Sequence, residues 1–455
     1  MSDHKLKRLL PSLMGLCVAA ALQAGAQAAP NAYVQTTLIA NKASYNPTVM
    51  VDPYLLNPWG IALRPPGAGG HIWISNAGSG TTTTYIGDVN GIPLHQDGLK
   101  VIPIQAVPED PPGYSQLIGQ TYHATVTGQV YNAASDVAGQ PVEFFVSGPA
   151  NNWATPQPTP VGTIAGSAKF VFVTTDGTIN AWRSGTNPGM QEAVIVKDYS
   201  ANSATPLGLA HTPGYMGVAM TTDAFTVDAQ GNKRADNRLY AADFANNRVQ
   251  VFDNQWNDIS ASVSFERPNG MQGDFMPFNV QYLGGRIYVA YAETAYEIDD
   301  PTEELDVAGA GRIVAYDRDG RIVQDFGDQS ILNAPWGLAL APTSFGAFGG
   351  KLLVANFGDG TIAVYDPTTG AALGQLRDDQ GELISIDGLW GITFGNGVSL
   401  GDANSLYYTA GPNGEQDGVF GRLTVAVVPE PASLMLLLLG LGALGLQARC
   451  RRPLP

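Results

Sequence analysis

The chain alternates short apolar runs with Gly-, Pro- and Asp-rich breaks, and it carries no long stretch of helical period in its body. The pattern is clearest over residues 333–366. NAPWGLAL (333–340) is an apolar run after Pro335, and KLLVANFGDGTIAVYD (351–366) holds two more, Leu352–Ala355 and Thr361–Tyr365, split by Gly358-Asp359-Gly360. Runs of this length bounded by such residues predict three short β-strands.

The same phrase recurs, which predicts an array of one small β unit. The first unit is NPWGIAL (57–63), HIWISNAGSGTTTTYIG (71–87) and LKVIPI (99–104). The second has VTGQVYN (126–132), VEFFVSG (142–148), a Pro/Asn-rich insertion over 149–160, KFVFVTTDGTINAW (169–182) and AVIVKDY (193–199). The third has TPLGLAHT (205–212), an excursion to about Asn237, and RLYAADFANNRVQVFD (238–253). The fourth has MPFNVQYL (276–283), RIYVAYAET (286–294) and GRIVAYD (311–317). The fifth is the opening phrase. The sixth has DGLWGITF (387–394) and SLYYTAGPNGEQDGVFGRLTV (405–425).

A unit this small cannot bury both faces of its own sheet. Standing the units side by side and closing the array solves the problem, as in a six-bladed β-propeller. The sixth unit runs out after its third strand, while YVQTTLI (33–39) is an orphan alternating strand. The expectation is that Tyr33–Ile39 lies beside Val419–Val425 and closes the ring. RLYAADFANNRVQVFD resembles NHL and SMP-30-like propellers. The phrases at 333–360, 176–182 and 387–397 resemble an uncharacterised six-bladed propeller family of PEP-CTERM-bearing bacteria, which implies this all-β fold over residues 29–427 and no particular reaction.

Both ends depart from the body. Residues 1–28 read as a signal peptide: Lys5, Lys7 and Arg8, an apolar core, then Ala26-Gln27-Ala28 as a cleavage site. In 428–455, Val428-Pro429-Glu430-Pro431 precedes about 15 apolar residues, roughly 22 Å as a helix, and then Arg449, Arg451 and Arg452. This order resembles the PEP-CTERM sorting signal. The resemblance implies a short transmembrane helix, processing by exosortase after the secretion machinery, and delivery to the cell surface or the extracellular matrix, where exopolysaccharide or another matrix component is the implied partner. It also implies a Gram-negative source.

Charge narrows the partners. The formal net charge is −16. Six of the basic residues sit in the two end segments, so the body is more acidic still and repels nucleic acid. The two cysteines, Cys17 and Cys450, are also terminal, which removes disulfides, thiolate metal sites and cysteine nucleophiles from the body.

Strand direction alternates in a four-strand meander, so the turn between strands two and three shares a face with the start of strand one. That face collects Asn57, Trp59, Phe278, Asn333, Trp336, Asp387 and Trp390 from strand starts. It collects Asn76, Asp176, Asp243, Glu293, Asn356 and Asp359 from turns. Two readings compete. In one, these residues ring a channel mouth that holds a ligand or a cation, with Ca²⁺ implied by the SMP-30 likeness. In the other, the Trp-Gly pairs fill the wedge between units and the Asp/Asn side chains satisfy turn backbone. The first admits a metal-dependent (Ca-type) hydrolase or lactonase, the second a binding or structural module.

Other catalytic signals are weak. Gly397-Val398-Ser399-Leu400-Gly401 has the G-x-S-x-G spacing but is expected between two strands, not on a strand-to-helix elbow. His71, His95, His123 and His211 lack metal-ligand spacing. Asp299, Asp300, Glu303, Glu304 and Asp306 form an acidic loop without the EF-hand pattern.

Overall fold

A computed structural model describes residues 31–65, 68–107, 124–133, 142–152, 159–184, 189–201, 211–227, 229–231, 233–271, 274–295, 302–327 and 329–426. The expected signal peptide at 1–28, its expected cleavage site at Ala26 and Ala28, and the sorting segment from Val428 to Arg452 lie outside the described residues. Among the described residues no helix is long and apolar enough to cross a membrane. Among the described residues the protein is all-β, with 49% strand and 3% helix, divided into many small sheets.

Six of these sheets follow the repeat. The first is Pro58–Ala62, Ile72–Asn76, Thr81–Tyr85 and Val101–Pro103; the second is Val126–Tyr131, Phe170–Thr174, Thr178–Trp182 and Val194–Asp198. The third has three strands among the described residues: Tyr215–Met220, Leu239–Asp243 and Arg248–Phe252. The fourth is Phe275–Leu283, Arg286–Glu293, Gly311–Tyr316 and Ile322–Asp325. The fifth is Pro335–Leu340, Leu352–Asn356, Ile362–Tyr365 and Ala372–Gln375. All of these are antiparallel meanders, and most central strands are buried along their length, which explains why they read as continuous apolar runs.

The sixth sheet joins the two ends of the body. Leu389–Phe394, Leu406–Ala410 and Val419–Val425 are completed by Tyr33–Ala40, antiparallel to Val419–Val425 with Tyr33 opposite Val425 and Ala40 opposite Val419. The N-terminal strand thus lies where its pattern places it. Met50–Val51 adds a short parallel edge.

Two segments go beyond the sequence reading. The Pro/Asn-rich stretch at 149–160 reads from sequence as an insertion that interrupts the second unit. There Phe145–Asn152 and Thr159–Ser167 pair as a hairpin and, with Gly189–Met190, make a separate three-stranded sheet. Pro149 is tolerated because the register shifts between Pro149 and Asn151, and a proline is accommodated at such an irregularity. In the third unit TPLGLAHT (205–212) lies mostly outside the described residues, and the strand paired with Leu239–Asp243 on its inner side is Tyr215–Met220. Pro206 resembles the proline that opens other inner strands, and Gly217 marks the strand itself.

That glycine belongs to a recurring position. The inner strands carry Pro58-Trp59-Gly60, Val126-Thr127-Gly128, Tyr215-Met216-Gly217, Pro277-Phe278-Asn279, Pro335-Trp336-Gly337 and Leu389-Trp390-Gly391. At the third residue each strand meets the next. A Cβ on Gly60 would lie 3.2 Å from the Thr127 carbonyl oxygen, one on Gly128 3.0 Å from Gly217 Cα, and one on Gly217 1.9 Å from Asn279 Oδ1. Asn279 Nδ2 donates to the Trp336 carbonyl at 2.8 Å. Cβ atoms on Gly337 and Gly391 would lie 2.4 Å from the Trp390 carbonyl oxygen and 2.5 Å from that of Trp59. The contacts pass from the first sheet through the sixth and back to the first.

Candidate functional site

The starts of the inner strands do converge, and indoles fill the convergence. Trp59 and Trp390 stack with centroids 3.5 Å apart, and Trp336 meets both edge-on at 6.0 and 5.7 Å. Phe278 and Phe357 pack on Trp390, and Phe244 packs on Phe278. All three tryptophans are at most 5% exposed. Trp336 Nε1 donates to the Met216 carbonyl at 2.9 Å, and Trp390 Nε1 donates to Glu415 Oε1 at 3.1 Å. Trp59 Nε1 is buried without a partner.

Three of the turn residues named from sequence fasten their sheet's turn to the entry of its own inner strand. Asp176 Oδ2 accepts from Thr125 N at 2.9 Å, Asp243 Oδ1 from Gly214 N at 3.2 Å, and Asn356 Oδ1 from Asn333 N at 3.1 Å. Asn76 Nδ2 donates to the Ile74 carbonyl and to the hydroxyls of Thr81 and Thr83, leaving Asn76 Oδ1 buried and unpartnered. Asp243 is fully buried and also pairs with Arg248 Nε at 3.0 Å. Burial pushes its carboxyl up, against the pull of Arg248 and Asn246. Asp387 is exposed and accepts from Asn413 N, and Asp359 accepts from Thr361 N and its hydroxyl. Glu293 is half-buried at the end of its strand, its carbonyl accepting from Leu305 N.

Acidic residues that sequence reasoning treated as a solvated loop reach this face. Burial, and then Asp306, Glu303 and Glu415, push the Glu304 carboxyl up to about 8. Glu415, absent from the sequence candidates, is raised by burial and by Glu303 and Asp306, against hydrogen bonds from Asn57 and Trp390. Burial and Asp359 raise Asp306. Asn333 Oδ1 and Asp306 Oδ1 lie 2.3 and 2.7 Å from the point a Cβ on Gly358 would occupy. The side-chain oxygens of Asn57 and Asn333 are buried there without partners. Even so, no group of three or more His, Cys, Asp or Glu among the described residues is arranged to hold a metal.

The serine pattern is a plain loop between Leu389–Phe394 and Leu406–Ala410. Asn396 Oδ1 accepts from the backbone N–H of Val398, Ser399 and Leu400, and no helix follows. His71 opens its strand and contacts Asp97 at 2.9 Å.

The open space is at the other end of the inner strands. A cavity of about 510 Å³ is lined by the last residues of all six, including Ile61, Val130, Val218, Leu283, Leu338 and Ile392. Sequence reasoning missed it because its walls are ordinary core residue types.

Comparison with known proteins gives the following. Residues 427–452 match the family described as the PEP-CTERM protein-sorting motif. That motif indicates an exported, membrane-processed protein of a Gram-negative bacterium and implies processing by exosortase. An uncharacterized protein of Acanthamoeba polyphaga mimivirus is 26% identical over 420 residues, which is 91% of this chain and 86% of that protein. A second from the same virus is 30% identical over 52% of this chain and 40% of its own length. Among solved structures, a glucose dehydrogenase aligns with 87% of this chain and 100% of its own at 13% identity and a TM-score of 0.42. A Penicillium chrysogenum alpha-L-arabinanase complexed with arabinobiose aligns with 86% of this chain and 97% of its own at 12% identity and a TM-score of 0.41. At these scores neither bears on the reaction or the ligand of this chain.

Proposed function

We propose that the chain is a six-bladed β-propeller closed by Tyr33–Ala40, and that it serves at the cell surface or in the extracellular matrix as a binding module rather than an enzyme. The cyclic contacts at Gly60, Gly128, Gly217, Asn279, Gly337 and Gly391 support the propeller. One observation carries the module reading: the channel mouth is packed solid by Trp59, Trp336 and Trp390. A reacting carbonyl has no room among stacked indoles. Asp176, Asp243 and Asn356 hold backbone, and Asp243 is already neutralised by Arg248.

The rival, a Ca-type hydrolase or lactonase, is favoured by the unpartnered oxygens of Asn57 and Asn333 beside Glu415 and Asp306. Amide and carboxylate oxygens are donors that Ca²⁺ accepts. Against it stands the absence of a metal-holding group of three among the described residues.

Elemental analysis of the purified protein, with melting in EDTA and in added Ca²⁺, separates the two. The module reading expects no stoichiometric metal and unchanged melting. A bound ion with a melting shift of several degrees refutes it. For sorting, removal of 429–455 is expected to leave the protein secreted but no longer membrane-held; unchanged fractionation refutes that part.

A further inference from the structure

We propose that the acidic face at the channel mouth binds an organic polyamine, with one primary ammonium group received at Asn333 and Asp306 and a second at Asn57 and Glu415. The two loci are built alike. Each joins an asparagine from the entry of one inner strand to a carboxylate from a turn of the neighbouring sheet. Asn333 and Asn57 are 6% and 8% exposed, and the side-chain oxygen of each is buried without a hydrogen-bond partner. An unsatisfied buried acceptor destabilises a fold unless a donor reaches it from outside the chain.

Each oxygen faces a glycine. A Cβ on Gly358 would lie 2.3 Å from Asn333 Oδ1 and 2.7 Å from Asp306 Oδ1, so any side chain there would fill the space these two oxygens border. A Cβ on Gly411 would lie 2.4 Å from Asn57 Oδ1 and 3.5 Å from Glu415 Cα. Both loci flank the same indole: Glu415 Oε1 accepts from Trp390 Nε1 at 3.1 Å, and Phe357, next to Gly358, stacks on Trp390 at 4.0 Å. Among the described residues, none of Asp306, Asp359, Glu304 and Glu415 takes part in an ion pair.

What remains over at both loci is acceptor capacity: two amide oxygens, and carboxylates with no counter-charge. A primary ammonium group is the complement, with one positive charge, three N–H donors and no acceptor. Its bonds to these oxygens are charge-assisted. A metal ion is a poorer match, because no group of three or more His, Cys, Asp or Glu among the described residues is arranged to hold one. An anion is repelled, and a neutral hydroxyl leaves the carboxylates unbalanced. Acidic residues outnumber basic ones 40 to 24, so the field of the whole chain also draws a polycation toward it. Two loci beside one indole select a ligand with two ammonium groups over a monoamine.

The inference rests on the binding reading and gives it a ligand class, yet the two fail separately. Stoichiometric metal with a melting shift overturns the reading, whereas the following titration is run in EDTA and addresses the amine alone. The full-length protein is titrated calorimetrically with spermidine, with butylamine and tetramethylammonium for comparison. The expected result is saturable binding of one spermidine per chain. Butylamine, with one ammonium group, is expected to bind at least about tenfold more weakly. Tetramethylammonium, which carries the charge without an N–H donor, is expected to give no saturable heat. Asp306→Asn and Asn333→Leu are each expected to weaken spermidine about tenfold. Asp253→Asn removes one charge beyond the far end of Arg248–Phe252, the strand whose first residue pairs with Asp243, and is expected to stay within about twofold. Asp306 is exposed, so its variant keeps the test decisive should Asn333→Leu melt early. Absence of saturable spermidine binding, equal binding of tetramethylammonium, or equal weakening by Asp253→Asn overturns the proposal.

Discussion

Gly217 offers a quantitative test of how the inner strands abut. A Cβ at this position would lie 1.9 Å from Asn279 Oδ1, 2.8 Å from Asn279 Cγ and 3.1 Å from Asn279 Cα. The amide cannot swing away freely. Its Nδ2 donates to the Trp336 carbonyl at 2.8 Å and its Oδ1 accepts from Val280 N at 2.8 Å. Gly217→Ala therefore forces loss of two buried hydrogen bonds, each worth about 1 kcal/mol, on top of about 1–3 kcal/mol of overpacking strain. The expected cost is about 3–5 kcal/mol. With Asn279→Gly already in place, the nearest remaining atom of that residue is Cα at 3.1 Å, a contact a shift of a few tenths of an ångström relieves. The same alanine is then expected to cost about 1 kcal/mol. Urea unfolding of the parent, both single variants and the double variant gives the coupling, which is expected to be at least about 2 kcal/mol. Additivity within about 0.5 kcal/mol would refute the claim that the third and fourth sheets touch through these two residues.

Trp390→Ala empties the centre of the indole cluster and is expected to cost about 3–5 kcal/mol in the same assay; a cost under about 1 kcal/mol would mean the mouth is loosely filled. Asp243→Ala leaves the Arg248 guanidinium beside an empty buried site, with an expected loss of about 3–5 kcal/mol, and near-neutrality in unfolding experiments would remove the ion pair from the account. Glu304 holds its proton to about pH 8 in the folded state against about 4.5 unfolded, so its ionisation is resisted by the fold: its contribution to stability falls as pH rises from about 4.5 to about 8 and is level above. Glu304→Gln is expected to flatten the melting profile over that window and to stabilise the protein at pH 9; an unchanged slope would show that Glu304 is not the group responsible.

The fold was legible because the repeat speaks through several residues at once. Trp59-Gly60, Trp336-Gly337 and Trp390-Gly391 mark inner strands, and Tyr33–Ile39 alternates like an edge strand without a partner. Two stretches were harder to read, and each carries a proline. Pro206 resembles a strand opening, and Pro149 looked like a break although a register shift absorbs it. The site was half legible. Alternating strand direction placed the tryptophans and turn oxygens on one face. It could not say that the indoles would stack to 3.5 Å, or that Asp176 and Asn356 would turn back onto their own sheets. Glu415 was invisible because nothing in its loop resembles the repeat, and the cavity was invisible because an aliphatic residue at a strand end looks like any other.

The pairing of Tyr33 with Val425 ties maturation to timing. In a polypeptide exported from its leading end, one half of this pair reaches the far side long before the other. Until Val419–Val425 arrives, the edges of Tyr33–Ala40 and Leu406–Ala410 are bare and can capture stray strands. The sorting motif begins at residue 427, directly behind the latecomer. The segment that finishes the last sheet crosses immediately ahead of that motif, so the sheet stays incomplete until the motif itself reaches the pore.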